Sequence, residues 1–256
     1  MIYDLQKGSI WKRISAFLFD MILLSVLAAL FALLLSWITG YDGHAAALDR
    51  KYEEYGVSRD FAEQYDEATD EERADYDARV AQLEDDPEAN RLFSLLVSLS
   101  VVITTGGVLL SFLLWEFFVP LWLRNGQTLG KKVFGLAVMR TNSVRISGPS
   151  LFIRTILGKY AVETMIPVYL VVMFFFNQSD VFQLILLFLI PLANLVLVLA
   201  SGTHSCLHDF LADTVVVDFG SQMIFESDQE MIEYKTRIHK ETVGQSREQA
   251  PPRDLS

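Results

Sequence analysis

The sequence predicts an all-α membrane protein: a four-helix transmembrane bundle with an outside acidic helical loop and a small cytoplasmic β-hairpin. Hydrophobic residues make up 52% of the 256 residues and are concentrated in four stretches. Each stretch approaches the roughly 20 apolar residues that a helix needs to cross a bilayer. The formal net charge of −11 is localised too, since the segment between the first two stretches contains 17 acidic and 6 basic residues.

The four predicted spans differ in length and in the charge they carry. Residues 14–39 are interrupted only by Asp20, and residues 92–123 only by Glu116. Residues 160–176 contain Glu163, whereas residues 181–201 contain no charge. The first run exceeds the apolar core of a signal peptide, which indicates a retained helix. The third run is short, so an interfacial or re-entrant segment is the alternative there.

The distribution of lysine and arginine predicts the orientation. Segment 124–159 contains seven basic residues and no acidic residue, and the N-terminal flank contains Lys7, Lys12 and Arg13 against Asp4. Basic segments flanking spans are retained in the cytoplasm. We therefore expect both termini to be cytoplasmic and segment 40–91 to lie outside, as four spans require.

The acidic insertion 40–91 is predicted to be helical. Its apolar residues recur every three or four positions, as in amphipathic helices. Gly56 followed by Ser58 indicates a helix stop and a new N-cap, and Thr69 with Glu72 resembles a capping box. Two interpretations stay open: an acidic cap that gathers cations, and a solvated helical hairpin that shields the bundle.

The cytoplasmic segments predict a little β structure and a polar tail. Residues 136–140 and 144–146 flank a polar turn and are predicted to form a β-hairpin, with 214–217 covering its edge. Residues 219–256 are predicted to be a polar cytoplasmic tail, helical to about His239 and disordered from Ser246.

Ionisable residues in or beside the spans are the candidate functional groups. Arg13 and Asp20 lie seven residues apart on one helix, nearly two turns, so their side chains point the same way. Asp20 and Glu116 are predicted at similar depths near the inner face. A structural ion-pair cluster and a solute or proton site are both compatible with this pattern.

Other polar features of the spans have simpler interpretations. Ser100, Thr104, Gly107 and Ser111 form a small-residue stripe of the kind that lets membrane helices pack closely. Asn194 is expected to satisfy a carbonyl freed by Pro191. The pair His204 and His208 would share a helix face, but no matching third or fourth metal ligand follows from the spacing. We predict no metal, no cofactor and no enzymatic activity, since no catalytic or nucleotide-binding motif is present.

Three motifs resemble the RDD family of bacterial membrane proteins, named for one arginine and two aspartates. They are KRISAFLFD at 12–20, GQTLGKKVFGLAV at 126–138 and LHDFLADTVVV at 207–217. The resemblance carries the signature residues onto Arg13, Asp20 and Asp209. If Asp209 lies next to the first helix, Arg13 is expected to serve both carboxylates at the inner interface. Secondary candidates are Glu116 from the span analysis and Lys131, Lys132 and His208 from the motifs. The chain departs from the common family pattern in its acidic insertion and in having room for two spans before His208.

The resemblance implies a multi-pass protein of the bacterial inner membrane and, weakly, transport, because some family members are linked to cation–proton exchange. The leading hypothesis is transport of a small ion or solute with proton coupling. The alternative is a non-transporting accessory or scaffold protein. Expected partners are the lipid bilayer and either further copies of this chain or other membrane proteins. The acidic balance argues against a nucleic-acid partner.

Overall fold

The computed structural model describes residues 5–58, 61, 65–123, 125–175 and 181–248. It is mostly helical and contains a two-stranded sheet. Within the described residues, three helices are long and apolar enough to cross a membrane: Ile10–Thr39, Pro87–Trp122 and Val181–Ala200. The chain divides into two compact units, Leu24–Ser111 and the remainder, Met1–Leu23 with Phe112–Ser256.

The unit Leu24–Ser111 contains parts of two long helices and the acidic insertion between them. Its elements are most of α1 (Ile10–Thr39), then α2 (Tyr41–Glu54), a 3-10 turn (Tyr65–Glu67), α3 (Asp70–Asp85) and most of α4 (Pro87–Phe112). A small core of Val57, Leu83 and Ala89 holds the insertion together.

The helix ends predicted from the sequence of this unit are found in the structure. Thr69 and Glu72 form a reciprocal capping box at the start of α3. Gly56 has φ +66°, the left-handed conformation expected after a helix end. Ser58 Oγ accepts a hydrogen bond from the Phe61 N–H at 3.2 Å. A Cβ added to Gly107 would lie 3.0 Å from the backbone oxygen of Ala28, so the small residue permits close helix packing.

The second unit holds all the charged candidates. Helix α4 continues through a π-helical segment, π1 (Leu113–Phe118), into α5 (Val119–Trp122), and α6 (Leu129–Val133) and β1 (Leu136–Arg140) follow. Helix α7 (Gly148–Phe152) continues through π2 (Ile153–Met165) into α8 (Ile166–Phe175). The remaining elements are α9 (Val181–Ala200), α10 (Leu207–Leu211), β2 (Thr214–Asp218) and α11 (Asp228–Glu248).

Strands β1 and β2 pair antiparallel, with Leu136 opposite Asp218 and Arg140 opposite Thr214. One face of the sheet packs against Ala16 of α1, and the other packs against Leu5 and Ile224. Because both faces are covered, the sheet is a rigid platform for the segments that enter and leave it.

Two predictions for this unit need correction. The hairpin is only partly formed. Met139 and Arg145 make one antiparallel bridge across the turn, and the Arg140 N–H donates to the Val144 oxygen at 2.8 Å. Residues 144–146 do not form a strand, however, and the Arg145 N–H donates to the Phe225 oxygen at 2.9 Å. The edge-covering strand at 214–217 is confirmed, and it is the partner of β1. The tail helix runs to Glu248, past the predicted end at His239 and into the segment predicted as disordered.

The fourth predicted span, 160–176, is helical over its described part, which is the end of π2 followed by α8. That it crosses the membrane stays a prediction. Residues 177–180, which join the third and fourth predicted spans, and the last tail residues, 249–256, lie outside the described residues.

Candidate functional site

Asp20 is buried and its carboxylate is enclosed by the GQTLGKK motif. Its Oδ1 accepts hydrogen bonds from Trp115 Nε1 at 3.1 Å and from the Gly130 N–H at 2.8 Å. The Thr128 hydroxyl donates to Oδ2. Both carboxylate oxygens are therefore occupied, and none of these three donors carries a formal charge.

The contacts around Asp20 explain several residues of the GQTLGKK motif. Thr128 is the N-cap of α6, and the Gln127 side chain donates to the Leu136 carbonyl at 2.7 Å, which ties the loop to β1. A Cβ added to Gly130 would lie 2.5 Å from the Ala16 oxygen and 2.7 Å from Asp20 Cγ. Only glycine lets the N-terminus of α6 approach α1 closely enough to bond the aspartate.

Glu116 lies in π1 and is 5% exposed. Its Oε1 accepts a hydrogen bond from Lys159 Nζ at 2.7 Å, and its Oε2 lies 3.8 Å from Lys131 Nζ. Oε2 has no hydrogen-bond partner among the residues that the structure describes. The Thr155 hydroxyl donates to the Glu116 backbone oxygen at 3.0 Å and so joins π2 to π1. Single π-helical turns inside α-helices are frequent at functional sites.

Lys131 connects the Glu116 and Asp20 sites. Its Nζ donates to Thr128 Oγ1 at 3.1 Å, and the same hydroxyl donates to Asp20. A hydroxyl has one donor and two acceptor positions, so both bonds form together. The result is a row of groups with alternating charge that we call the relay: Asp20, Thr128, Lys131, Glu116 and Lys159.

A second buried pair lies beside the relay. Arg154 of π2 donates from Nε to Asp209 Oδ1 at 2.9 Å, and its Nη2 lies 2.8 Å from the same oxygen. The two residues are 2% and 1% exposed. Burial alone would raise the pKa of Asp209, but the positive charges of Arg154 and Arg13 outweigh it and hold the pKa well below its usual range.

His208 has a defined protonation pattern in this arrangement. Arg154 Nη2 lies 3.2 Å from His208 Nε2, and a guanidinium can only donate, so Nε2 must accept. The proton of the neutral ring is then on Nδ1, which lies 2.9 Å from Glu163 Oε2. Burial lowers the pKa of His208, which agrees with a neutral ring. Gly158 leaves the space for this histidine, since an added Cβ there would lie 2.6 Å from His208 Cβ.

The three signature residues do not form the single cluster that their placement predicted. Arg13 donates instead to backbone carbonyls, to that of His204 and to that of Val216 at 3.5 Å. Asp20 takes uncharged donors and Asp209 takes Arg154. The prediction that Arg13 pairs with the two aspartates is therefore wrong, because Arg13 sits where the chain leaving α9 needs its carbonyls satisfied.

The remaining candidates lie as follows. Lys132 is exposed and lies beside the relay without joining it. His204 precedes α10, so it does not share a helix face with His208 as predicted, and its Nδ1 lies 2.8 Å from the Val198 oxygen. Among the described residues Asn194 makes no hydrogen bond to a carbonyl. Its Oδ1 accepts instead from the Leu207 N–H at 2.8 Å and fixes the start of α10.

Three groups that metals use do lie close together at the start of α10. One ligand atom each from Cys206, His208 and Asp209 fall within 4.8 Å of one another. However, Arg154 already occupies Asp209 Oδ1 and faces His208 Nε2, and its fixed positive charge opposes a cation there. The donors of this cluster are committed to protein contacts, which does not favour a metal centre.

Sequence reasoning missed Arg154 and Lys159 as site residues and noted Glu163 only as a charge in a span. The first two were counted only as basic residues of a cytoplasmic flank. Their spacing offers a signal, since positions 154, 159 and 163 are five and four residues apart. On an α-helix that spacing is imperfect, but on π2 Arg154 and Lys159 reach buried acids and Glu163 reaches His208.

Comparison with known proteins identifies the family of this chain. The RDD family model matches residues 7–213, most of the chain, and that range includes Arg13, Asp20 and Asp209. A search of curated proteins and a search of solved structures each gave no match. With three helices apolar enough to cross a bilayer, the chain is a membrane-type protein, and it belongs to the RDD family.

Proposed function

We propose that this chain is a proton-linked transporter of a small cation or solute, with Glu116 as the group that exchanges the proton. One observation carries the proposal. The Glu116 carboxylate lies between two lysines, and its buried Oε2 accepts no hydrogen bond from the described residues. A buried carboxylate oxygen without a donor is costly, and such a group needs a reason to be kept. An ionisable residue within a membrane span is a functional-site candidate by default.

Glu116 supports the proposal better than Asp20 does. The Asp20 carboxylate accepts three hydrogen bonds from groups that only donate to it, so protonation would displace one of them. Glu116 Oε2 has no donor to displace among the described residues. We infer that Asp20 holds the GQTLGKK motif in place, and that Glu116 is free to gain and lose a proton.

The proposal includes a topology and an assembly. We infer four spans, with 160–176 as the third, both termini in the cytoplasm of a bacterial cell and the acidic insertion outside. The positive-inside distribution of charge supports this orientation. Four helices leave little room for a pathway within one copy, so we propose that the transporter is an oligomer without enzymatic activity.

A second function is favoured by a different observation. The buried or half-buried cluster contains four acids and four bases, so with His208 neutral its charges balance: Asp20, Glu116, Glu163 and Asp209 against Arg13, Lys131, Arg154 and Lys159. A balanced network suits a static joint between helix ends, as in an accessory or scaffold protein. Such a protein would give no flux, and its phenotypes would follow its abundance.

The test is flux driven by a pH gradient into liposomes that contain the purified protein, across a panel of monovalent cations and small organic solutes. Wild type should give flux above empty liposomes, and Glu116→Gln should fold normally and lose it. Glu226→Gln makes the same chemical change at an exposed site and should keep the flux. Absence of wild-type flux for every solute would refute the proposal and favour the scaffold.

The topology has its own test. A cysteine placed at Ala78, an exposed position of α3, should react with an impermeant thiol reagent in intact cells after Cys206 is removed. A cysteine at Asn142 should be protected in the same cells. Labelling at Asn142 together with protection at Ala78 would reverse the orientation.

A further inference from the structure

The relay contains a buried ammonium whose environment opposes its charge. The Lys131 side chain is 10% exposed, and its Nζ makes one described hydrogen bond, to Thr128 Oγ1 at 3.1 Å. An ammonium has three hydrogens to donate. The 3.8 Å gap to Glu116 Oε2 is too long for a hydrogen bond. Two oppositely charged groups therefore face each other with hydrogen-bonding capacity unused on both sides.

The charged groups around Lys131 come from every element packed against it. Glu116 of π1 and Asp20 of α1 favour the ammonium, whereas Lys159 and Arg154 of π2 oppose it. Burial is the largest effect, and together these influences lower the pKa of Lys131 to about 8. A lysine in water would lose its proton only at much higher pH.

We propose that Lys131 binds and releases a proton close to neutral pH, and that Glu116 loses one of its two cationic neighbours when the proton leaves. While Lys131 is an ammonium, Glu116 Oε2 faces it and Oε1 bonds Lys159. When Lys131 is an amine, Lys159 is the only lysine that neutralises Glu116. This deepens the proposed function, and it rests on that function only for the use to which the proton is put.

The proton-transfer step balances simply. On release, one N–H bond of Lys131 breaks, its electron pair stays on Nζ and the proton forms an O–H bond with a water molecule. On uptake the same bond forms again from a hydronium ion. Thr128 remains bonded to Asp20 in both states, because the hydroxyl donates to the aspartate and only accepts from Lys131. The neighbouring helix α1 is thereby held while the charge changes.

The experiment follows lysine side chains directly. Protein with ¹³Cε-labelled lysine in detergent micelles is titrated from pH 6 to 11 by NMR. The Lys131 signal is the one missing from Lys131→Met or from Lys131→Arg, and it can also be assigned by elimination from single substitutions of the other lysines. We expect its midpoint at about pH 8, about two pH units below the value for lysine in a model peptide. A midpoint above pH 10 would overturn the proposal.

Glu116→Gln supplies the second arm. Removing the carboxylate that favours the ammonium should move the Lys131 midpoint lower still, and an unchanged midpoint would refute the coupling of Lys131 to Glu116. Flux into liposomes is measured separately. A Lys131 midpoint near pH 8 without flux would support the proton site and refute the transport function. Flux together with a Lys131 midpoint above pH 10 would support transport and refute the proton site.

Discussion

The pair between Arg154 and Asp209 should be the largest electrostatic contribution to stability that a single substitution can remove. Both side chains are almost fully buried, and two guanidinium nitrogens lie 2.8 and 2.9 Å from one carboxylate oxygen. Replacing Arg154 by methionine keeps the stem of the side chain and leaves Asp209 enclosed without its cation. Breaking a buried pair by removing one partner costs on the order of 3–5 kcal/mol, roughly a hundred-fold to several-thousand-fold in the unfolding equilibrium constant.

The assay is reversible unfolding in mixed micelles, read as the free energy of unfolding for matched variants. Arg145→Met is the control, because Arg145 pairs at 2.6 Å with an exposed glutamate, Glu226. Exposed pairs of this kind contribute about 0–1 kcal/mol. The double variant Arg154→Met with Asp209→Leu should recover most of the loss, since well-packed apolar replacements of a buried pair are often neutral.

The pH dependence of the same measurement has a definite sign. The folded-state pKa of Asp209 lies below its unfolded value of 3.8, so the pair stabilises the fold above that pH and loses its effect as the pH falls through the folded value. The difference in unfolding free energy between wild type and Arg154→Met should be constant from pH 5 to 7. That difference should become smaller in stronger acid, where Asp209 of the variant is protonated. Equal losses for Arg154→Met and Arg145→Met would refute this reasoning.

Three further predictions concern single positions. Gly130→Ala should lower the free energy of unfolding by about 1–3 kcal/mol or more through overpacking, because its Cβ has no room. Gly43→Ala, whose Cβ would meet nothing within 4 Å, should change that free energy by no more than about 1 kcal/mol. Equal effects of the two substitutions would contradict the tight approach of Gly130 to α1. The pKa of Lys131 is lowered to about 8 from 10.5, so between these pH values the unfolded state binds a proton that the folded state does not. Over that range the free energy of unfolding of wild type should rise by about 3 kcal/mol relative to that of Lys131→Met. Parallel curves of unfolding free energy against pH would contradict this. Burial raises the pKa of Cys206 to about 11, so at pH 7.4 its thiol should react far more slowly with a small maleimide than a cysteine introduced in loop 141–143, and equal rates would contradict the buried placement.

Short-range sequence signals predicted this fold well. The capping box of Thr69 and Glu72 and the left-handed conformation of Gly56 depend only on residues a few positions away. Such features can therefore be predicted from the order of residue types. Three apolar runs gave three long helices because the length needed to span a bilayer is a simple count. The strand at 214–217 followed from its composition and from the edge of β1 that it covers.

The partners of the charged residues could not be predicted in the same way. Arg154 and Asp209 are 55 residues apart, so nothing local joins them, and pairing Arg13 with the nearer acid was the only choice that helical spacing offered. The two π-helical segments also shift side chains off the 3.6-residue period from which faces were deduced. The same long-range dependence made Asn194 a partner of α10 instead of its own helix.

The most direct test of the central claim is the movement of protons themselves. Liposomes that contain the purified protein and a trapped pH-sensitive dye receive a cation gradient with no initial pH difference. The account predicts a cation-dependent change of internal pH with wild type, its loss in Glu116→Gln that folds normally, and its retention in Glu226→Gln. A change of internal pH no faster than that of empty liposomes, for every cation of the panel, would contradict a proton-linked transporter. So would equal rates for wild type and Glu116→Gln, because the buried carboxylate would then be dispensable.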